Sequence, residues 1–160
     1  MRTVDLKITV PSRDPDTVYR ILSNFERYSE FSAAVRSVSV THTGADVTIS
    51  DWEVNFRAGV MRWKEEDTFD RPARRITFRQ LEGDIALFDG SWDCSDSHGS
   101  TEIAFSARLD MGIPSLANAL EPIAVRTLVD NTLSILNGLF GLAVLTSTEV
   151  GVPTAAGARP

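Results

Sequence analysis

The sequence has a single cysteine, Cys94, among its 160 residues. One cysteine excludes an internal disulfide and any zinc site built from several cysteines. No apolar run approaches the roughly 20 residues that a membrane-spanning helix needs, and the N-terminal residues lack the apolar segment of a secretory signal. These absences predict a cytoplasmic protein without stable membrane insertion.

Basic side chains are also few, at 16 against 22 acidic ones, which gives a formal net charge of −6. A nucleic-acid binder needs a basic surface that displaces counterions from phosphates, so we expect no nucleic-acid partner. The sequence contains no glycine-rich phosphate loop, no nucleophile elbow and no HExxH motif. His42 and His98 lie near a strand end and in a turn, without the setting of a metal ligand or a catalytic base. We therefore predict neither a cofactor nor a bound metal.

Alternation of apolar and polar residues marks the first two thirds of the chain. Residues 2–10 alternate with a period of two, which predicts a half-buried strand. Asp14 followed by Pro15 is typical of a helix start, and two short helices are predicted before residue 35. Turn signals then separate further strands by connections too short for a crossover helix, which indicates antiparallel pairing. These strands are predicted over residues 35–43, 46–57, 60–69, 74–82, 85–95 and 100–109.

A helical period replaces the strand alternation after Pro114. Residues 115–145 carry an apolar stripe with a period near 3.6, which predicts one long helix. Residues 146–160 are small, polar and interrupted by glycine and proline, and we predict a disordered tail there. The expected architecture is a single α+β domain over residues 1–145. In it a curved antiparallel sheet of about six to seven strands wraps around the long C-terminal helix and leaves an internal cavity where the two diverge.

Strand parity predicts which side chains face that cavity, because alternate residues of a strand point to opposite faces. In the strand 60–69, Trp63 and Phe69 share the apolar face, and Glu65 and Asp67 lie on the same face. Residues two apart on one strand are separated by about 7 Å, and burial raises the pKa of at least one such carboxyl. A carboxyl of this kind can act as a general acid or base. Glu65 and Asp67 are therefore the predicted catalytic residues.

A second interpretation of this pair stays open at the level of sequence. Both acids lie near a strand end, so a β-bulge could turn them to water, or they could form rim salt bridges with Arg62 or Arg79.

Substrate binding is predicted for the inward-facing aromatic and amide residues of the strands, an aromatic residue after the first helix, and a polar residue in the middle of the long helix. They are Tyr28, Trp52, Trp63, Gln80, Phe88, Trp92, Phe105 and Asn131.

Several stretches of the chain, read in order, resemble the START-like (helix-grip) superfamily. Within it the sequence is similar to the polyketide cyclase/dehydrase group, which includes the aromatase/cyclases of bacterial aromatic polyketide pathways and the coenzyme-Q-binding START-like proteins. The resemblance spans about residues 2–142 and implies a helix-grip fold around a hydrophobic cavity. The residues that carry it are 25–31 (FERYSEF), 70–76 (DRPARRI), 81–83 (LEG), 90–92 (GSW), 101–103 (TEI) and Asn131.

The resemblance also shows where this chain departs from the aromatase/cyclases. That group typically presents a serine and an arginine from the strand that corresponds to residues 60–69, where this chain has Glu65 and Asp67. A second arginine of the group falls near Gln80. An anionic site thus replaces a cationic one, which favours carboxylate acid/base chemistry on a ring other than the first.

Two functions of different classes are consistent with this pattern. The first is a cofactor-independent polyketide cyclase or dehydratase, in which Glu65 and Asp67 transfer protons while the cavity holds the substrate folded. The second is a non-catalytic carrier of a lipid, quinone or polyketide, with both acids at the rim. The partner in either case is a hydrophobic small molecule. A second apolar face of the long helix, which includes Val125 and Phe140, predicts packing on the short helices or a homodimer contact.

Overall fold

The structure is a computed structural model that describes residues 1–152, apart from the side chains of residues 117 and 118. Within this part of the chain, eight strands form one antiparallel sheet and a 24-residue helix follows the seventh strand. The elements in chain order are β1 (Arg2–Val10), α1 (Pro15–Leu22), a 3₁₀ turn (Phe25–Arg27), α2 (Tyr28–Phe31), β2 (Val35–His42), β3 (Val47–Phe56), β4 (Gly59–Asp70), β5 (Arg75–Gly83), β6 (Leu87–Ser97), β7 (Ser100–Asp110), a second 3₁₀ turn (Pro114–Leu116), α3 (Ala117–Phe140) and β8 (Val144–Gly151).

The strand order in the sheet is β2–β3–β4–β5–β6–β7–β1–β8. Strands β2 to β7 form a meander of hairpins, and β1 lies between β7 and β8. The prediction of an α+β fold with an antiparallel sheet and a long C-terminal helix is confirmed. The six predicted meander strands agree with the structure to within two residues at each end. The alternation of apolar and polar residues located them because most of these strands have one buried face and one solvent-exposed face.

Local chemistry fixes the start of α1. The Asp14 side chain accepts a hydrogen bond of 2.9 Å from the backbone N–H of Thr17 and one of 2.7 Å from its hydroxyl. Pro15 occupies the first helical position, where its missing N–H costs nothing. The helix then buries Val18 and Leu22 completely. The predicted helix start is therefore confirmed.

The end of the chain differs from the prediction in two respects. Helix α3 ends at Phe140 rather than near residue 145, because Gly141 adopts a φ of 78°, a left-handed conformation that ends helices. Residues 144–151 then form β8, so the predicted disordered tail is wrong for residues 146–151. Their partner is the outer edge of β1, whose N–H and C=O groups β8 satisfies. The rest of the predicted tail, residues 153–160, lies outside the described residues.

A close approach holds α3 against α2. An alanine Cβ at Gly138 would overlap the carbonyl oxygen of Phe31 and would lie 2.8 Å from its carbonyl carbon. A hydrogen bond of 2.9 Å between the hydroxyls of Ser32 and Ser134 lies at the same contact. Only glycine lets the two backbones come this near, so Gly138 sets the position of the helix relative to α2.

We expect Gly138→Ala to destabilise the protein although alanine is the better helix former. The gain in helix propensity is about 1 kcal/mol, whereas overpacking costs about 1–3 kcal/mol, and the overlapping atom belongs to backbone that cannot rotate away. Chemical denaturation should therefore show a net loss. Gly59→Ala is the matched control, because its nearest neighbour lies at an ordinary 3.7 Å. A Gly138→Ala protein as stable as wild type would show that α2 and α3 do not pack this closely.

Candidate functional site

A cavity of about 100 Å³ lies between the inner face of the sheet and α3. Apolar and aromatic side chains make up most of its 21 lining residues. Seven of the eight side chains predicted to bind substrate line it, and the exception is Gln80. Both the sheet and α3 contribute to the wall, as the predicted architecture requires.

Two tryptophans form the flattest part of the wall. Trp52 on β3 and Trp63 on β4 are direct cross-strand partners. Their rings stack with centroids 5.6 Å apart and planes only 2° from parallel. Phe88 meets Trp63 at 87°, edge to face, with centroids 5.4 Å apart. Such offset-stacked and edge-to-face pairs fix ring orientation as well as bury area, so this wall is preorganised.

Both predicted catalytic acids are buried, with Glu65 4% and Asp67 0% exposed. A register shift at Leu81 of β5 lies directly beside Glu65, yet it does not turn either acid to water. The arginines considered as rim partners are engaged elsewhere: Arg62 pairs with Glu53 at 2.6 Å, and Arg79 pairs with Glu66 at 3.3 Å. The structure therefore supports the parity prediction over the rim interpretation.

Asp67 lies behind the cavity wall and accepts hydrogen bonds from two hydroxyl groups. Its Oδ2 accepts hydrogen bonds from Ser50 at 2.6 Å and from Thr48 at 2.9 Å. Ser50 in turn accepts a hydrogen bond of 2.8 Å from the indole N–H of Trp52. Asp67 itself does not line the cavity. The network thus connects a buried carboxylate to the aromatic wall without exposing it to a ligand.

Glu65 is the carboxyl that reaches the cavity. Its Oε1 accepts a hydrogen bond of 2.6 Å from the indole N–H of Trp63. Burial raises the pKa of Glu65 well above its ordinary value, and the adjacent Asp67 raises it further by hydrogen bonding and by charge. The Oδ1 atom of Asp67 is buried and has no hydrogen-bond partner among the described residues. The proximity of Asp67 thus adds to burial in favouring the protonated form of Glu65.

Three other predicted residues are constrained by the protein itself. The hydroxyl of Tyr28 donates to the carbonyl of Leu22, which leaves only its ring for the cavity. Asn131 donates a hydrogen bond of 2.8 Å from Nδ2 to the carbonyl of Asn55, which leaves its Oδ1 as an acceptor. Gln80 instead donates to the carbonyl of Ile85 at 2.9 Å. Gln80 lies outside the cavity lining, and its amide supports the β5–β6 turn.

Thr48 and Ser50 are site residues that the sequence pattern did not predict. Both share strand parity with Trp52, which was recognised as inward-facing, so the same alternation contained the signal. Small hydroxyl residues on an apolar face are easily taken for packing, and only the position of Asp67 on the next strand shows what they bind.

Across the described residues 1–152, no three His, Cys, Asp or Glu side chains form a group that could hold a metal ion. No helix in the same range is long and apolar enough to cross a membrane.

Comparison with known proteins places this geometry in context. The family model described as polyketide cyclase / dehydrase and lipid transport matches residues 11–134. No curated protein matches the chain. Among solved structures, the protein TTHA0849 from Thermus thermophilus is 24% identical with a TM-score of 0.79, and the match covers 87% of this chain and 94% of that one.

Two further structures share the fold at lower identity. The ZhuI aromatase/cyclase from Streptomyces sp. R1128 is 17% identical with a TM-score of 0.77, over 88% of this chain and 93% of its own. A START superfamily protein from Mycobacterium smegmatis is 14% identical with a TM-score of 0.73, over 88% and 98%. These structural likenesses support the helix-grip fold, as the resemblance in sequence implied.

The raised pKa of Glu65 predicts how stability depends on pH. Above about pH 4.5, the ordinary pKa of glutamate, the unfolded chain releases a proton that the folded protein keeps. The unfolding free energy should therefore fall by about 1.4 kcal/mol per pH unit as the pH rises, until it passes the folded-state pKa of Glu65. Glu65→Gln removes this contribution.

Chemical denaturation of wild type and Glu65→Gln at pH 5, 6 and 7 measures the difference directly. The stability of wild type relative to the variant should decrease with each step in pH. Glu66→Gln, on the outer face of the same strand, corrects for the loss of one carboxyl from β4. A wild-type advantage that is constant across this range would mean that Glu65 is ionised in the folded protein.

Proposed function

The chain belongs to the polyketide cyclase / dehydrase and lipid transport family, and from this premise we propose that it cyclises or dehydrates a polyketide intermediate bound in its cavity. The observation that supports the proposal best is the position of the Glu65 carboxyl in an aromatic wall, where burial raises its pKa. A neutral carboxylic acid in such a place is a general acid that works near neutral pH. No cofactor is part of this proposal.

The proposed chemistry uses Glu65 first as an acid and then as a base. In a ring closure, its proton goes to a ketone oxygen as an enol carbon of the substrate attacks the carbonyl, which forms a C–C bond and a hydroxyl, and the resulting Glu65 carboxylate takes the enol O–H proton. In the dehydration, its proton goes to that hydroxyl, which leaves as water, and the resulting carboxylate takes the proton from the adjacent carbon. The second step returns Glu65 to its starting state, with one water lost per turnover.

Asp67 has a different role from the one that the sequence predicted for it. Because it lies behind Glu65 and outside the lining, we propose that it is a positioning residue. Its hydroxyl partners Ser50 and Thr48 hold one of its oxygens, which leaves the second oxygen to interact with Glu65. The proton of Glu65 is thereby stored on the side of the cavity until a substrate oxygen replaces Asp67 as its acceptor.

The size of the cavity limits the substrate. Pockets for drug-sized ligands measure roughly 300–1,000 Å³, whereas this cavity measures about 100 Å³. We therefore propose a compact, partly cyclised intermediate rather than an extended poly-β-ketone chain. The stacked tryptophans suit a planar ring, because aromatic rings pack favourably on a flat aromatic surface.

A second candidate is a carrier that binds the same kind of molecule without converting it. The engagement of Tyr28 and Asn131 with backbone carbonyls favours this alternative, since it leaves few polar groups free to activate a substrate. In a carrier the carboxyl of Glu65 would serve as a hydrogen-bond donor only. The family description includes lipid transport as well as cyclases.

Product analysis by liquid chromatography and mass spectrometry separates the two candidates. The purified protein is incubated with a panel of partly cyclised polyketide intermediates. We expect a cyclised or dehydrated product from wild type, and a turnover about 10²-fold lower or less for Glu65→Gln, because the amide cannot transfer the proton. Ligand binding should survive in that variant.

Two further variants complete the experiment. Glu66→Gln, whose side chain points outward to Arg79, should turn over like wild type. Asp67→Asn should lower turnover and alter its pH profile while the cavity still binds ligand. If wild type retains ligands and releases them unchanged, the protein is a carrier; if Glu65→Gln forms product at the wild-type rate, Glu65 is not the acid.

A further inference from the structure

The lining of the cavity offers no group that could neutralise a negatively charged ligand. None of its 21 lining residues is a lysine, an arginine or a histidine. Among the described residues, every ion pair of a basic group is made to a carboxyl other than Glu65 and Asp67. An anion would therefore lose its water without gaining a counter-charge, and it would also approach the negative charge of the Asp67 carboxylate behind the wall. Burying an unpaired charge in this way costs several kcal/mol.

The position of that negative charge also disfavours a positively charged ligand. Asp67 lies behind the wall with its Oδ2 bound by Ser50 and Thr48, so an ammonium group in the cavity cannot reach it. The group that does face the cavity is Glu65, whose burial favours its neutral form. Cations also bind to the open faces of aromatic rings, but the aromatic rings of the lining pack against one another. A cation would thus be desolvated without a strong partner.

An uncharged molecule with an oxygen acceptor fits the same surroundings. Glu65 offers one proton donor in the wall, next to the flat tryptophan pair, whereas the other polar side chains of the lining, Thr127, Asn131 and Thr132, belong to α3. A carbonyl oxygen can replace Asp67 as the acceptor of that proton without bringing any charge into the cavity. Its apolar body would cover the rings of Trp63 and Phe88.

We propose that the cavity is selective for uncharged carbonyl compounds and excludes carboxylates and protonated amines of the same size. This deepens the proposed function and rests on it for the position of the ligand beside Glu65. The same selectivity would apply if the protein were a carrier. It would bind ketones and quinones, which are uncharged, and exclude free fatty acids, which are carboxylates.

Four probes of nearly equal shape test the selectivity. Acetophenone carries a carbonyl; α-methylstyrene replaces its oxygen by a CH₂ group; benzoate is an anion at pH 7, and 1-phenylethylamine is a cation. Binding is followed by NMR through the indole N–H signal of Trp63, which reports on Glu65 because the two groups are hydrogen-bonded. The signal is assigned with Trp63→Phe.

Acetophenone should bind most tightly. We expect α-methylstyrene to bind about tenfold more weakly, which is the size of one hydrogen bond, and benzoate and 1-phenylethylamine to bind at least about 100-fold more weakly. Glu65→Leu should abolish the difference between acetophenone and α-methylstyrene, and Glu65→Gln, which keeps a donor of similar shape, should preserve part of it. The spread of amide signals in the same spectra shows whether each variant is folded.

The opposite results are equally informative. Benzoate binding within tenfold of acetophenone would overturn the selectivity, and tighter binding of 1-phenylethylamine would identify a cation site instead. If the selectivity is correct but the proposed reaction is not, the protein should bind acetophenone selectively and form no product from any polyketide intermediate. Asp67→Asn adds a direct test, because removing the negative charge behind Glu65 should narrow the gap between acetophenone and benzoate.

Discussion

The cost of removing two carboxyls from water is the constraint on which the site depends. Glu65 and Asp67 occupy inward positions of one strand, and neither is neutralised by a basic group within the described part of the chain. Two neighbouring full charges in an apolar interior are costly. The pKa of Glu65 is therefore raised, and Ser50, Thr48 and Trp63 donate hydrogen bonds to the carboxylate oxygens of the pair. This raised pKa is a consequence of folding, and the proposed acid chemistry uses the proton that it favours.

The sheet supplies this arrangement through its pairing register. Thr48 of β3 is the direct partner of Asp67 on β4, and Ser50 is the partner of Glu65. Cross-strand partners lie about 5 Å apart with side chains on the same face, so the hydroxyls reach the carboxyl without any loop. A site built on paired strands is more rigid than one built on loops. The same register stacks Trp52 on Trp63, so the acid and the aromatic wall are positioned by one hairpin.

Sequence alone predicts most of this fold, because periodicity reports burial and a buried face was present on nearly every strand. The inward parity of Glu65 and Asp67 could be read in the same way. Hydrogen bonds to another element could not be predicted from parity. Gln80 has the inward parity but donates to the carbonyl of Ile85 in the following turn, and the Tyr28 hydroxyl donates to the carbonyl of Leu22. The strand β8 was missed because its polar, exposed residues carry little alternation. It forms through backbone hydrogen bonds to β1, which no side-chain pattern records.

The charge type of the site determines which reactions it can assist. A cationic site of the kind that the resemblance to the aromatase/cyclases implies can stabilise an enolate by Coulomb attraction, whereas a neutral carboxylic acid stabilises developing negative charge on oxygen only by giving it a proton. Acid assistance is useful where an oxygen must be protonated before it leaves or before its carbon is attacked, and it requires a substrate that enters without charge. A wall that lacks cations and presents a neutral carboxyl as a proton donor therefore suits uncharged ketones and alcohols. The same feature that makes Glu65 reactive, its burial beside Asp67, is the one that excludes charged ligands. Selectivity and reactivity in this cavity thus have a common origin in the desolvation of one pair of side chains.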